Sequence, residues 1–425
     1  MIQTLRNAWR IEEIRKKILF TLLIVLLYRI GNAIPVPFVN TALLQQYFSY
    51  LQNTALGLLD AMSGGSFSNA TIFALSIQPY INASIIIQLL CIAIPALERM
   101  SKDEGEEGRK KIASITRYST VAIGLLQGFG YYMLMKNNGI IVADAANSVW
   151  AAIVIILTFT SGSALIMWLG EQITEFGIGN GISIILFASI ISRFPNAVIT
   201  TIQNVINGSL AWWAAVLVFL GALALIVLIV YVNDAERRIP VQYAKRVVGR
   251  KMYGGQSTHL PMKVNMSGVM PIIFASSISS IPATIAAFTG HQNSAWAKTN
   301  TIPYAIIYLL LIIFFAYFYS TIQFNPIEVA NNLKKNGGYI PGFRPGKPTS
   351  EFIQKVLNKI TLFGAIYLGI IAVTPILVSR FSNAAALTGL SLGGTSIIIV
   401  VGVALETVRA IEAQMLMRNY KGFLS

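Results

Sequence analysis

The chain has 425 residues, 55% of them hydrophobic and only 12% charged, with a mean hydropathy of +0.65. Soluble domains carry about 25% charged residues, so half of the expected charge is missing, and the apolar runs that recur from end to end exclude a string of soluble domains in favour of one polytopic membrane protein. The net charge is nevertheless +15, from 32 Lys+Arg and 17 Asp+Glu, so the basic residues must gather in the loops. The lone cysteine, Cys91, sits inside an apolar run and excludes an intrachain disulfide. With two remote histidines, His259 and His291, no zinc site or Cys/His dyad is expected, and no HExxH, P-loop or GxSxG motif occurs. Neither a cofactor nor a metal is expected, and enzyme chemistry has a poor inventory.

In chain order, Arg15-Lys16-Lys17 precede the apolar run Ile18–Tyr28. This could pass for a signal peptide, but the many later spans favour an uncleaved first helix behind a basic anchor. Stretches long enough to cross a bilayer, about 20 residues each, lie near 18–36, 72–97, 115–135, 148–170, 181–194, 210–232, 268–289, 303–323, 360–378 and 393–413. The fifth is short and starts at Gly177-Ile178-Gly179-Asn180-Gly181. Residues 55–71 are too short and too rich in Gly and Ser to span. They read as a short re-entrant helix or as an ordinary external loop, and non-helical backbone at membrane depth survives only where protein or a water cavity surrounds it. Pro79, Pro95, Pro271 and Pro282 fall inside the second and seventh spans and predict kinks there.

Of the 32 Lys and Arg, 27 fall on one side, in residues 1–17, 98–117, 171–180, 233–264, 324–359 and the end from Arg409. Positive charge is retained in the cytoplasm, so both termini are expected there. Ten spans with both ends inside divide into two halves of five with opposite orientation, residues 1–209 and 210–425, which invites an inverted-repeat architecture with a functional site between the halves. The loops 233–264 and 324–359 are longer and more basic than topology needs. Their charge suits anionic lipid, or a large anionic partner such as RNA or an acidic protein. The span interiors lack the buried charges that mark ion and proton pathways. They offer isoleucine runs instead: Ile85-Ile86-Ile87, Ile184-Ile185, Ile272-Ile273 and Ile397-Ile398-Ile399. Most such residues simply pack or face lipid, while a few together can form a hydrophobic constriction. A secondary transporter would share the span count, but it wants a polar midplane site; an intramembrane hydrolase wants a nucleophile and base that are not here.

Specific strings identify a family. PheAlaLeuSerIleGlnProTyrIleAsnAlaSerIleIleIleGlnLeuLeu (73–90), TrpLeuGlyGluGlnIleThrGluPheGlyIleGlyAsnGlyIleSer (168–183), TyrAlaLysArg (243–246), GlnSerThrHisLeuProMetLysValAsn (256–265), PheAlaSerSer (274–277), AsnProIleGluValAlaAsnAsnLeuLysLys (325–335), ProGlyPheArgProGly (341–346) and GlyGlyThrSer (393–396) resemble the SecY family in collinear order. That family supplies the channel-forming subunits of the bacterial protein translocase.

The resemblance implies an all-α polytopic fold of ten transmembrane helices, two inverted five-helix halves around a central pore, in the bacterial cytoplasmic membrane. It further implies a plug helix at about 57–68 carrying Leu58, Met62, Gly64, Gly65 and Phe67, with Met62 and the two glycines suiting a mobile, loosely packed element. The implied pore ring is Ile77, Ile81, Ile182, Leu186, Ile273 and Ile399, with Leu186 where Ile is common. Gln88 and Gln127 match lateral-gate positions, or else make ordinary interhelical hydrogen bonds. Arg344, then Arg246, Arg250 and Lys251, become docking residues for the ribosome or the motor ATPase SecA. SecE and, in many bacteria, SecG are the implied accessory subunits; signal sequences and preprotein chains are the implied passengers. ProValProPhe at 35–38 departs from the family pattern, in which a glycine often follows the second proline.

Overall fold

The structure, a computed structural model, describes residues 2–421 except 51–54, 103, 146, 209–210, 244–245, 249–250, 254–256, 289–300 and 382–393. Its helices are α1 (Ile2–Arg10), α2 (Glu12–Gly31), α3 (Thr41–Tyr50), α4 (Ala55–Met62), α5 (Gln78–Ala93), α6 (Pro95–Lys102), α7 (Gly105–Asn137), α8 (Val149–Phe176), α9 (Gly181–Ile191) and α10 (Phe194–Ile206). They continue with α11 (Trp212–Asp234), α12 (Met270–Phe288), α13 (Ile302–Gln323), α14 (Pro326–Lys335), α15 (Lys347–Phe381) and α16 (Gly394–Lys421). Each of the ten predicted spans falls on one of them: α2, α5, α7, α8, α9, α11, α12, α13, α15 and α16 in order. By length and composition, five helical stretches among the described residues can cross a membrane: α8, Gly181–Ile206, α11, Ile302–Lys335 and Lys347–Thr374. The helices α5 and α12 are apolar but shorter.

Local chemistry sets the ends. Asn180 accepts from the backbone amides of Ile182 (3.1 Å) and Ser183 (3.3 Å), capping α9 after the glycine-rich turn. Asn325 caps α14 in the same way. Pro79 lies in the first turn of α5, where a missing amide hydrogen costs nothing, so it starts this helix rather than kinking it. Ile94, extended at φ −109° and ψ 113°, ends α5 just before Pro95 opens α6, because the residue ahead of a proline is pushed out of helical geometry. The predicted span 72–97 is therefore a helix of 16 residues. Pro271 begins α12, so of these four prolines Pro282 is the one that stands inside a helix.

Helices approach through small residues, as expected where lipid gives apolar side chains no reason to prefer one another. Gly124 and Gly128, one turn apart on α7, face α8: a methyl at Gly124 would lie 3.1 Å from the Ser163 hydroxyl, and one at Gly128 would lie 3.3 Å from the Ile156 carbonyl oxygen. Between α13 and α15, Ser320 and Thr361 share a buried hydrogen bond of 3.0 Å. The main core joins residues of α2, α5, α8, α9, α11, α12, α13, α15 and α16 in one aliphatic cluster. A second core gathers Val36, Leu44, Phe48, Phe67, Tyr131 and Phe159.

The two long basic segments, read from sequence as loops, add a small sheet to the helical fold. Strand β1 (Glu236–Tyr243) is followed by β2 (Arg246–Val248), β3 (Lys251–Tyr253), β4 (Ser257–Lys263) and, from the second segment, β5 (Gly338–Tyr339). The order is β4-β1-β5, all antiparallel, with Glu236 opposite Lys263 and Gln242 opposite Ser257; β2 and β3 form a separate ribbon. Ile239 and Val241, alternating along β1, are buried with Met262 against Ala330, Ile353 and Leu357 of α14 and α15. Pro240 is tolerated because β5 covers only Gln242 and Tyr243 on its side of β1.

Phe38 explains the departure from the family's glycine. Its φ is +68°, a left-handed conformation that glycine adopts freely and a bulky side chain does not. The Phe38 carbonyl accepts from the Val142 amide (3.0 Å) and Val39 bridges Ile141, so the turn is held by its neighbours. Phe38→Gly should therefore stabilise the fold by about 1 kcal/mol, read as a higher midpoint in detergent unfolding; an unchanged or lower midpoint would show that the half-exposed ring packs well enough to offset the strain.

Candidate pore site

The six residues expected to form a ring all belong to the main core. Ile77 precedes the first turn of α5 and Ile81 follows within it; Leu186 lies one turn beyond Ile182 on α9; Ile273 comes from α12 and Ile399 from α16. Five are buried, and Ile182 is half-buried against the same cluster. Four segments from distant parts of the sequence thus contribute branched aliphatic side chains to one core. Such a patch offers no strong hydrogen bond or charge to anything that touches it.

The segment 55–77 packs against this patch. From α4, Met62 reaches the cluster and its sulfur lies 4.0 Å from the Ser276 hydroxyl on α12. The side chain of Leu58 lies outside the described residues. Gly64, at φ +72°, comes so near α9 that a methyl would sit 2.7 Å from the Ser189 carbonyl oxygen, and Gly65 has φ +87°. These glycines serve close approach and left-handed turns, and the segment is tightly packed rather than loose. Phe67 is buried, stacked on Tyr131 at 4.1 Å between ring centres, and its carbonyl accepts from the Tyr131 hydroxyl. Asp60 is 6% exposed. One of its oxygens accepts from the Ser68 amide (2.8 Å) and the other from the Arg193 guanidinium (2.8 Å).

The expected gate residues separate. Gln88 donates to Ser84 on its own helix (3.0 Å), whereas Gln127 lines a cavity of about 150 Å³ bounded by α4, α5, α7 and α12. The polar link between α5 and α12 is Gln78, whose amide donates to the Ser277 hydroxyl at 3.3 Å. Ser76 and Asn82 also line this cavity, and the Ser76 hydroxyl and the Asn82 carbonyl oxygen are buried without a hydrogen-bond partner in the protein. Sequence reasoning missed Gln78, Asn82 and Ser277. The available signal was three polar residues on runs otherwise rich in isoleucine.

On the basic face, Arg344 is exposed in the turn between β5 and α15, and its carbonyl accepts from Thr349 (2.8 Å) while the adjacent Phe343 stacks on Phe352 at 4.2 Å. The guanidinium is therefore presented from a fixed backbone. Arg246 lies on β2 and Lys251 on β3, with side chains outside the described residues; Arg250 lies outside them altogether. At the end of β4, burial, and then the nearby Arg409, hold the Lys263 ammonium below its ordinary range against the pull of Asp234, Glu406 and Glu236. Arg409 itself is paired with Asp234 and donates to the Asn233 carbonyl at 3.0 Å, which ties α16 to the end of α11.

A helical membrane protein whose helices share one aliphatic core, with a short non-helical segment packed among them, is the class that this geometry defines. The SecY family model matches residues 71–408. A protein translocase subunit SecY of Streptomyces scabiei is 45% identical over 444 residues, covering 100% of both chains, and one of Mycobacterium bovis is 44% identical over 448 residues with the same coverage. The fold is similar to that of a solved protein-conducting channel, with a TM-score of 0.67 at 17% identity, over 95% of this chain and 93% of that one. The chain belongs to the SecY family.

Phe67→Ala removes a buried ring and its stacking partner, a loss of about 3–5 kcal/mol for a well-packed aromatic. Amide hydrogen exchange across residues 63–72 should accelerate sharply in this variant while α13 and α15 stay protected. Equal protection in the variant and the parent would mean that Phe67 does not anchor the segment.

Proposed function

We propose that the chain is a protein-conducting channel, passing unfolded polypeptides across the bacterial cytoplasmic membrane and releasing apolar segments sideways into it. The convergence of Ile77, Ile81, Ile182, Leu186, Ile273 and Ile399 beneath the packed segment 55–68 carries this reading. The full-length relatives named as translocase subunits support it. A passenger chain brings every kind of side chain, so the collar must offer none of them a tight site. Aliphatic side chains change rotamer readily, close around an extended chain and exclude hydrated ions. In the resting state the segment around α4 serves as the plug.

The two halves, 1–209 and 210–425, open like a hinge between α5 and α12, where Gln78, Ser277 and Gln127 line the sideways exit. Nothing in this scheme calls on catalysis by the chain itself, so the driving force comes from a partner or the membrane potential. The face bearing Arg344, Arg246, Arg250 and Lys251 is read as cytoplasmic, with both termini, and as the docking surface for the ribosome or SecA. One structural neighbour is described as Sec61 in the canine ribosome-channel complex, which favours the ribosome as a partner of this fold. SecE and SecG are the expected accessory subunits, with anionic lipid around the basic loops.

The deciding experiment places a photoreactive residue at Ile81 or Ile273 and stalls a secreted polypeptide in the complex. Crosslinks from both positions are expected, and their absence would sink the channel reading. In reconstituted vesicles Arg344→Glu should abolish export while the protein remains inserted and stable. Ile399→Asn should raise ion leak and admit substrates with defective signals; unchanged leak and unchanged signal stringency would remove Ile399 from the collar.

A further inference from the structure

The channel reading leaves open what holds the plug in place. We propose that Arg193 and Asp60 form an electrostatic latch, a pair of positioning residues that sets the resting seal and thereby how strong a signal is needed to open it. This rests on the channel reading above.

Five observations carry the proposal. The pair is direct, with guanidinium nitrogen and carboxylate oxygen 2.8 Å apart, and joins residues separated by 133 positions. It is asymmetric: the Asp60 side chain is 8% exposed and the Arg193 side chain 38%. Arg193 is held rigidly between two helices, its amide donating to Ile190 at the end of α9 and its carbonyl accepting from Ala197 at the start of α10. Asp60, by contrast, sits on the short helix α4, which ends at Met62 just before the left-handed Gly64-Gly65 pair. Charges are also scarce on that side of the molecule: the sequence assigns it only Asp60, Asp144, Lys136, Arg193, Lys298 and Arg380. Two of those six facing each other in a partly dry setting form a matched contact.

The physics suits a lock that must release. A buried ion pair adds little over apolar packing of the same volume, because both charges lose hydration when it forms. On opening, both regain water, so separation is cheaper than pulling apart an equal apolar area. Removing one partner has a different effect. Without Arg193, the Asp60 carboxylate is buried and uncompensated whenever α4 is docked, which biases α4 outward. Without the Asp60 charge, Arg193 is already part-solvated, and an asparagine still accepts from the Ser68 amide.

The test uses the complete membrane complex. Amide exchange of residues 55–62 and resting ion conductance are measured for Arg193→Gln, Asp60→Asn, the double variant and Arg193→Lys. Arg193→Gln should raise both by about tenfold or more, Asp60→Asn should raise them less, and Arg193→Lys should stay near the parent. The decisive result is rescue: adding Asp60→Asn to Arg193→Gln should bring both readings back towards the parent, because no buried charge is left. A role in packing alone predicts a double variant at least as leaky as Arg193→Gln, and that outcome, or parental behaviour of Arg193→Gln, would overturn the latch. If Arg193→Gln does not assemble, Asp60→Asn against Arg193→Lys decides, since equal exchange in those two and the parent would also overturn it. The exchange reading needs no passenger, so a parent complex that exchanges as expected but fails to crosslink a stalled chain refutes the channel reading and leaves the contact itself tested.

Discussion

In hydrocarbon, a backbone amide or carbonyl without a hydrogen bond costs several kcal/mol, and the segment over the constriction is built around that constraint. Residues 63–77 are not helical, yet ten of their fifteen amides find a partner in the protein. Ser63 donates to Leu59, Gly65 to Asp60, Phe67 to the Ser63 hydroxyl, Ser68 to the Asp60 carboxylate and Thr71 to Ser66. Ile72 donates to Ile34, Ala74 to Thr71 and Ser76 to Phe73. The Ser and Asp content that makes this stretch too polar to span is what allows it to lie among helices: the side chains replace the partners that a helix would have supplied.

Where the helices begin and end follows from the same constraint. Proline removes a donor, so it is found in the first turn, where that donor would have been unpaired. Pro79 therefore sets α5 to start at Gln78 and leaves Ile77 at its mouth, beside Ile81 one turn inward. Had the helix run on from residue 72, as hydropathy alone suggests, Ile77 would belong to an uninterrupted face and the turns of the packed segment would have no room. One proline thus helps to place both the collar and its cover.

The collar residues and the orientation belong to the proposal above, whereas span positions and the family were legible in the sequence because they rest on local signals, long apolar runs and recognisable strings. The sheet was not, because β1 mixes Glu236, Arg237 and Arg238 with Pro240 and hides the buried pair Ile239 and Val241. Nor were the long-range contacts that pin the segment 55–77 and join α5 to α12. Asp60 with Arg193, Gln78 with Ser277 and Phe67 with Tyr131 join residues 133, 199 and 64 positions apart. No periodicity reports such pairs. Gln88 shows the converse, since its position matched a family pattern while its amide is engaged within its own helix. Phe38 lies between these cases. The departure was visible, but its meaning needed the backbone angle.

The segment 55–77 and the helices around it are held together in two different ways. Around Phe159, Tyr131 and Phe67 the contacts are aromatic and close-packed, and separating them exposes apolar surface with nothing gained in return. Along α5 and α12, and between α4 and Arg193, the contacts are polar: a 3.3 Å amide-to-hydroxyl bond, an ion pair, and the buried but unpartnered Ser76 hydroxyl and Asn82 carbonyl oxygen. Each of those groups gains hydration if the surfaces part, and the unpartnered two bear a desolvation cost only while the surfaces are shut. In the channel proposed above, the seams that open are therefore the ones that water can reward, and the aromatic anchor is the part of the segment that stays behind.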